Sequence, residues 1–439
     1  MSTPTTGSSA EASPTPPSED HAEEQTKHGP SGQGALLRQV ASSPAVVGLL
    51  AVLTALILSS ILILAADSEV RYTATYLLNR PGDFLHATAS TLSEAYSSLL
   101  RGAVFDWRAT TGVRMIRPIT DTLTNATPLI VAGLGMAVAF RAGLFNIGGQ
   151  GQMILGAITA CYVGIAWNLP PVAHLLLAVV GAALGGLVWG GIAGVLKART
   201  GANEVIVTIM LNSIAAHLLS QVLSLKAFNG EGETGNRKSL TVADAAQYPS
   251  LAGDSFRLHA GFLLALLVAV AVWWLMERSR LGFQLRATGL NADAARTAGM
   301  SVPWVTSLVM MISGALCGLA ATAPVLGTQK SMDESVVGTI GFDAITVALL
   351  GRSRPLGTVL AGLLFGALRA GGTAMQAAPG THIKIVLVLQ STIVLFIAAP
   401  PLIRAIFRLP ERRDTLGGTA PSPASVPAAA PAAPAVKEA

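Results

Sequence analysis

The sequence predicts an all-α, polytopic membrane protein, and three observations carry that prediction. The chain of 439 residues is 51% hydrophobic and only 12% charged, whereas a soluble domain carries roughly 25% charged residues. Its mean hydropathy is +0.56. Its apolar runs reach the roughly 20 residues needed to cross a bilayer core, and "SPAVVGLLAVLTALILSSILILA" (Ser43–Ala65) carries no charge at all. A cleaved signal peptide is the rival explanation of that run. It fails because the run starts deep in the chain, exceeds an h-region and lacks a cleavage site.

About ten transmembrane segments follow from the hydropathy pattern: 45–66, 119–140, 147–167, 172–196, 203–224, 260–276, 302–323, 336–350, 355–371 and 384–403. The eighth and ninth are short, as half-helices or a re-entrant pair would be. Residues 1–40 are rich in Ser, Thr, Pro and Glu, and residues 411–439 in Pro and Ala. Both compositions bury too little apolar surface to fold, so disordered tails are expected around a transmembrane domain spanning 41–410.

Orientation comes from the short loops. "LKARTGANE" (Leu196–Glu204), "ERSRLGFQLRATGLNADAARTAGM" (Glu277–Met300) and "GRSRP" (Gly351–Pro355) are rich in arginine and poor in acids. An excess of Lys and Arg marks the cytoplasmic side, and even numbers of crossings separate the three loops. Both termini are therefore expected in the cytoplasm, with 67–118 and 225–259 outside. The net charge of +5 has the same origin, since no basic cluster is interleaved with aromatics; nucleic acid is not an expected partner. In 172–196, Gly181, Gly185, Gly186, Gly190 and Gly194 recur at helical spacing. That pattern lets helices pack closely in lipid and says little about function.

Chemistry is sparse. No stretch reads as a Walker A loop, a zinc-protease helix or a nucleophile elbow, so neither ATP hydrolysis nor other enzymatic activity is expected of this chain. Cys161 and Cys317 lie in apolar runs without metal-ligand spacing, and no metal site is expected. Asp343 is the one strong candidate for a carboxylate at mid-membrane depth, thin support for an ion-coupled carrier. The interior instead holds neutral polar groups, among them Asn125, Asn146, Gln150, Gln152 and Asn212. Each bonds either a neighbouring helix or a polar solute, because an unpartnered amide in hydrocarbon costs several kcal/mol. The cluster in "RAGLFNIGGQGQMILGA" (Arg141–Ala157) sits beside glycines that admit close approach. Asn146 and Gln150, four residues apart, are expected on one helix face lining a solute path, and Gln152 on another face as a structural residue. Asn125, Asn212 and Asp343 complete the expected path.

"FNIGGQGQ" before an apolar helix resembles the membrane subunits of ABC importers for nucleosides, the group that works with basic-membrane-protein lipoproteins and is related to ribose and xylose permeases. The resemblance continues in "LKARTGANEVIVTIMLNSIA" (Leu196–Ala215), "RATGLNADAARTAGM" (Arg286–Met300) and "GFDAITVALLGRSRPLGTVLAGLLFGALRAGG" (Gly341–Gly372). It covers roughly Pro118 to Arg404; the family often has Glu where Gln150 stands. It implies a subunit in a bacterial plasma membrane that passes nucleosides and binds no cofactor itself. The implied partners are a second permease subunit making a heterodimer, an ATP-binding subunit carrying ATP and Mg, and a substrate-binding lipoprotein. Arg286, Gly289, Leu290, Asn291, Ala294, Ala295 and Gly299 would form the segment coupled to the ATPase. Asn291 is suited to capping a short helix there, with Asp293 in its first turn and a small Ala294–Ala295 face, while Gly289 and Gly299 free the chain at either end. A simple-sugar permease of the ribose type and an ATPase-independent secondary carrier remain the alternatives.

Overall fold

A computed structural model describes residues 44–229, 237–377, 391–392, 395–396 and 400–408. Both tails and most of the tenth expected span, 384–403, lie outside the described residues. Helices occupy the other nine expected positions. In chain order they are α1 (Pro44–Ala66), α2 (Ser68–Ala74), α3 (Pro81–Ala103), α4 (Gly112–Arg141), α5 (Gly149–Ala166), α6 (Pro171–Thr200) and α7 (Glu204–Leu223). Then come α8 (Gly261–Glu277), α9 (Arg280–Leu290), α10 (Ala292–Thr297), α11 (Val302–Ala320), α12 (Ile340–Leu350), α13 (Pro355–Ala377) and α14 (Pro400–Ile406). No strand occurs among the described residues, only two isolated bridges. Among the described residues, five helices are long and apolar enough to cross a membrane, or up to seven if each bent helix pair is one span.

At the centre stands α4, whose residues Ala126 to Ala139 are all buried. A helix apolar on every face belongs inside a bundle. Close packing is made by glycine. On α6, a side chain at Gly186 would strike the Gly314 carbonyl of α11, and one at Gly194 would strike Met310 and Ser307. Gly185 faces Thr159 and Leu155 of α5 instead, so the stripe seen in the sequence serves two neighbours. Gly362 and Gly366 of α13 seat on Ile130 and Ala126 of α4 in the same way.

The region 67–118, expected as an outer loop, holds α2, α3 and the start of α4. Its α3 buries Ala87, Ala95 and Leu99 on one face and packs on α13, where Gly371 touches the Leu99 carbonyl. The hydropathy pattern hides this helix because its other face is polar.

The three arginine-rich loops gather at one end of the bundle. Arg141 at the end of α4 pairs with Glu277 of α8 at 3.5 Å and donates to the Ser353 carbonyl at 3.1 Å. Lys197 of α6 bridges Glu204 of α7 at 2.6 Å. At the opposite end, residues 237–260 strap the chain that follows α11. Ser239 N donates to Met332 O at 2.7 Å, Val242 N to Lys330 O at 2.9 Å and Tyr248 N to Leu326 O at 3.0 Å.

Candidate translocation site

Two helices of the bundle begin inside it rather than at its ends. α5 starts at Gly149, level with Asn212 of α7 and Ser313 of α11, which lie eight and eleven residues into their own helices. At 1.5 Å per residue that depth is about 12–17 Å. α12 has only 11 residues, about 16 Å, half of a roughly 30 Å hydrocarbon core. A helix start leaves backbone N–H groups without partners, and lipid supplies none. The amides and glycines of residues 146–152 meet that need.

Asn146 is completely buried and precedes the helix. Its Oδ1 accepts from Gly148 N at 2.8 Å; its Nδ2 donates to Gln152 Oε1 at 3.0 Å and Ser313 Oγ at 2.8 Å. Gln152 Nε2 returns a bond to Asn146 Oδ1 at 3.2 Å. Asn212 accepts from Gly151 N at 2.8 Å and donates to the Ile147 carbonyl at 2.9 Å, capping the start of α5 from a neighbouring helix. Gln150 reaches the half-length α12: its Nε2 donates to Gly338 O at 2.7 Å and its Oε1 accepts from Gly341 N at 3.2 Å. Gly149 and Gly151 leave no room for side chains beside Met136 and Asn212. The expected sharing of one helix face by Asn146 and Gln150 does not hold, because α5 begins only at Gly149 and Asn146 lies in the irregular chain before it. Asn146 pairs with Gln152 instead.

Above the start of α12 lies a polar cavity of about 190 Å³. Its walls include Asp121, Thr124, Asn125 and Pro128 of α4, Thr328 and Gln329 after α11, Arg369 of α13 and Arg257 of the strap. Pro128 has no N–H to give the Thr124 carbonyl, so that acceptor is freed on a helix lining the cavity. The chain after α11 winds as a π-helix over Ala323–Thr328, a form that recurs at functional sites. Gly338 lies in the floor, one hydrogen bond above Gln150. Asn125 Nδ2 donates to the Asp121 carbonyl at 2.9 Å, and Thr339 Oγ1 donates to Asp343 Oδ2 at 2.9 Å. Asp121 also lines a wider vestibule of about 770 Å³ with Arg101, Arg108, Arg114 and Arg117. Of the expected residues, Asn125 lines the cavity; Gln150 and Asp343 do not, although Gln150 bonds the lining Gly338, and Asn146 and Asn212 are buried. Sequence reasoning missed Arg369, Arg257 and Asp121. A lone arginine in "GALRAGG" was a readable signal, since a cation inside a span marks function by default.

At the arginine-rich end, Asn291 Oδ1 accepts from the Asp293 and Ala294 N–H groups, both at 3.0 Å, and so caps α10. Gly299 (φ +81°) ends that helix: Gly299 N bonds Arg296 O and Met300 N bonds Ala295 O at 2.9 and 3.0 Å, the paired bonds of a Schellman motif. Ala295 is buried while Ala294 and Leu290 are exposed, so the two alanines do not share a face. Arg286 has one buried guanidinium nitrogen with no partner among the described residues. Gly289 sits on the turn that ends α4, its missing Cβ position 2.9 Å from Gly143 N.

Helices that begin inside an apolar bundle, beside a polar cavity, define a membrane transport protein. A family model described as the permease component of the branched-chain amino acid transport system matches residues 119–398; the chain belongs to that family. Among its relatives, the guanosine ABC transporter permease protein NupP of Bacillus subtilis is 40% identical over 66% of this chain and 83% of its own length. The glucose ABC transporter permease protein TsgB13 of Haloferax volcanii is 36% identical, covering 70% and 82%. The nucleoside ABC transporter permease protein NupB of Lactococcus lactis is 34% identical, covering 64% and 79%.

Proposed function

We propose that this chain conducts nucleosides as one permease subunit of an ABC importer in a bacterial plasma membrane. The observation that carries the reading is the polar cavity above the start of the half-length α12, whose walls offer amide, hydroxyl and charged partners to a hydroxyl-rich solute. Its 190 Å³ falls below the roughly 300 Å³ of a small ligand pocket, so passage requires widening. Gln150 is the floor latch: its bonds to Gly338 and Gly341 close the cavity toward the arginine-rich end, and breaking them opens it. Asn125 and Asp343 belong to the solute path on either side of that floor. Asn146 and Asn212 act indirectly, by holding the start of α5.

The arginine-rich end faces the cytoplasm in this reading, with both termini on that side. There the segment containing Arg286, Gly289, Leu290, Asn291, Ala294, Ala295 and Gly299 meets a separate ATP-binding subunit that carries ATP and Mg. A second, non-identical permease subunit completes the pore, and a lipoprotein delivers solute to the vestibule. The test is uptake by the host strain with this gene deleted and then restored. Labelled guanosine and uridine uptake should fall with deletion and return with the gene, while glucose uptake is unchanged. Loss of glucose uptake alone would assign the chain to sugars and overturn the reading.

A further inference from the structure

Three charged side chains, Asp121, Arg257 and Arg369, line the cavity. Asp121 Oδ1 is buried and makes no hydrogen bond among the described residues, while its Oδ2 faces Arg117 at 3.7 Å. Arg257 and Arg369 line the same cavity, and among the described residues neither forms an ion pair within 4 Å, although Arg257 lies within electrostatic reach of Asp121 and Arg369 of Asp343. Arg369 projects from the middle of a membrane helix against Gly338, where an added Cβ would lie 3.5 Å from its Nη2. Placing a guanidinium in an apolar span is costly unless something pairs with it. Two guanidinium groups and a carboxylate thus line one small space.

The solute that satisfies both is neutral and carries donors and acceptors along one planar edge. A phosphate is repelled by the carboxylate. A sugar has hydroxyls but no flat edge for a guanidinium fork. Guanine presents N1–H and N2–H beside O6 and N7; a carboxylate accepts from the first pair, and an arginine donates to the second in a bidentate bond. Adenine puts an N1 lone pair where guanine has N–H, so a carboxylate there repels it. Hypoxanthine keeps N1–H, O6 and N7 and loses one donor.

We infer that Asp121 and Arg369 form a selectivity site for the base edge of 6-oxopurine nucleosides, with Arg257 covering it from the strap. The site rests on the nucleoside reading and narrows it. It also assigns a purpose to an arginine that the packing of α13 does not require.

The test uses the whole transporter in cells, comparing labelled guanosine and adenosine uptake with every other component left unchanged. A change in their ratio on substituting this chain therefore reports on this chain. Asp121→Asn should lower guanosine relative to adenosine uptake roughly 10- to 100-fold, the range for a lost hydrogen bond to a charged group. Arg369→Lys keeps the charge but not the fork, and should lower the same ratio. If Asp121→Asn fails to reach the membrane, Arg369→Lys decides alone. An unchanged ratio in inserted variants that still carry nucleosides overturns the site. A wild type that carries no nucleoside at all overturns the nucleoside reading instead.

Discussion

Replacing Asn146 with alanine separates a structural amide from a solute-lining one. The side chain is wholly buried and spends its oxygen on Gly148 N and Gln152 and its nitrogen on Gln152 and Ser313. Its loss strands the Gly148 N–H and the Gln152 amide, both buried. Each stranded group costs about 1–3 kcal/mol, so Asn146→Ala should destabilise the protein by about 2–6 kcal/mol. Gln150 is only half-buried, and water reaches the groups it leaves; Gln150→Ala should cost about 0.5–1.5 kcal/mol per bond while altering uptake. Thermal unfolding of the detergent-solubilised protein, followed by size-exclusion of a fluorescent fusion, reads both. Asn146→Ala combined with Gln152→Leu should recover part of the loss, because removing both partners leaves fewer stranded groups. The reasoning is refuted if Asn146→Ala melts with the wild type while Gln150→Ala fails to fold.

At the coupling segment, Ala294→Glu adds a charge to an exposed position and should abolish uptake with the protein normally inserted. Ala295→Glu buries its charge and should reduce the inserted amount itself; equal expression and equal uptake for both would make the segment a plain connector. His259, in the strap, is stacked on Tyr248 with ring centroids 5.3 Å apart, and burial lowers its pKa from 6.5 to about 4. Because the folded value lies below the unfolded one, the stability held by neutral His259 is complete above pH 6.5 and drains away as pH falls toward 4, by about 3 kcal/mol at most. His259→Gln should flatten the dependence of melting temperature on pH across that window; an unaltered slope would remove His259 as its source.

Much of this was legible in the sequence, for identifiable reasons. Arginines in short loops report an end of the bundle directly, and all three loops meet there. Asn291 and Gly299 act through their own backbone neighbourhood, so the capped and terminated α10 could be read locally. The partners of Asn146 could not, because Ser313 lies 167 residues away and hydropathy does not distinguish a helix from an extended chain entering the bilayer. Arg369 escaped notice because one cation barely lowers the mean of an apolar run. Helix α3 escaped because alternating polar and apolar faces average to the hydropathy of a loop.

The contact between Gly143 and Gly289 has a mechanical consequence. Between Asp121 in the cavity and Arg141 beside this contact, α4 runs 20 residues, about 30 Å. A shift of roughly 1 Å at the glycine pair therefore tilts that arm by about 2° about a pivot near the cavity. Because bare backbone meets bare backbone there, no rotamer has to change for the surfaces to slide. The joint is bare backbone on bare backbone, and a methyl group added at Gly289 would wedge it open against the Arg141 carbonyl, 2.5 Å from where the new carbon would sit.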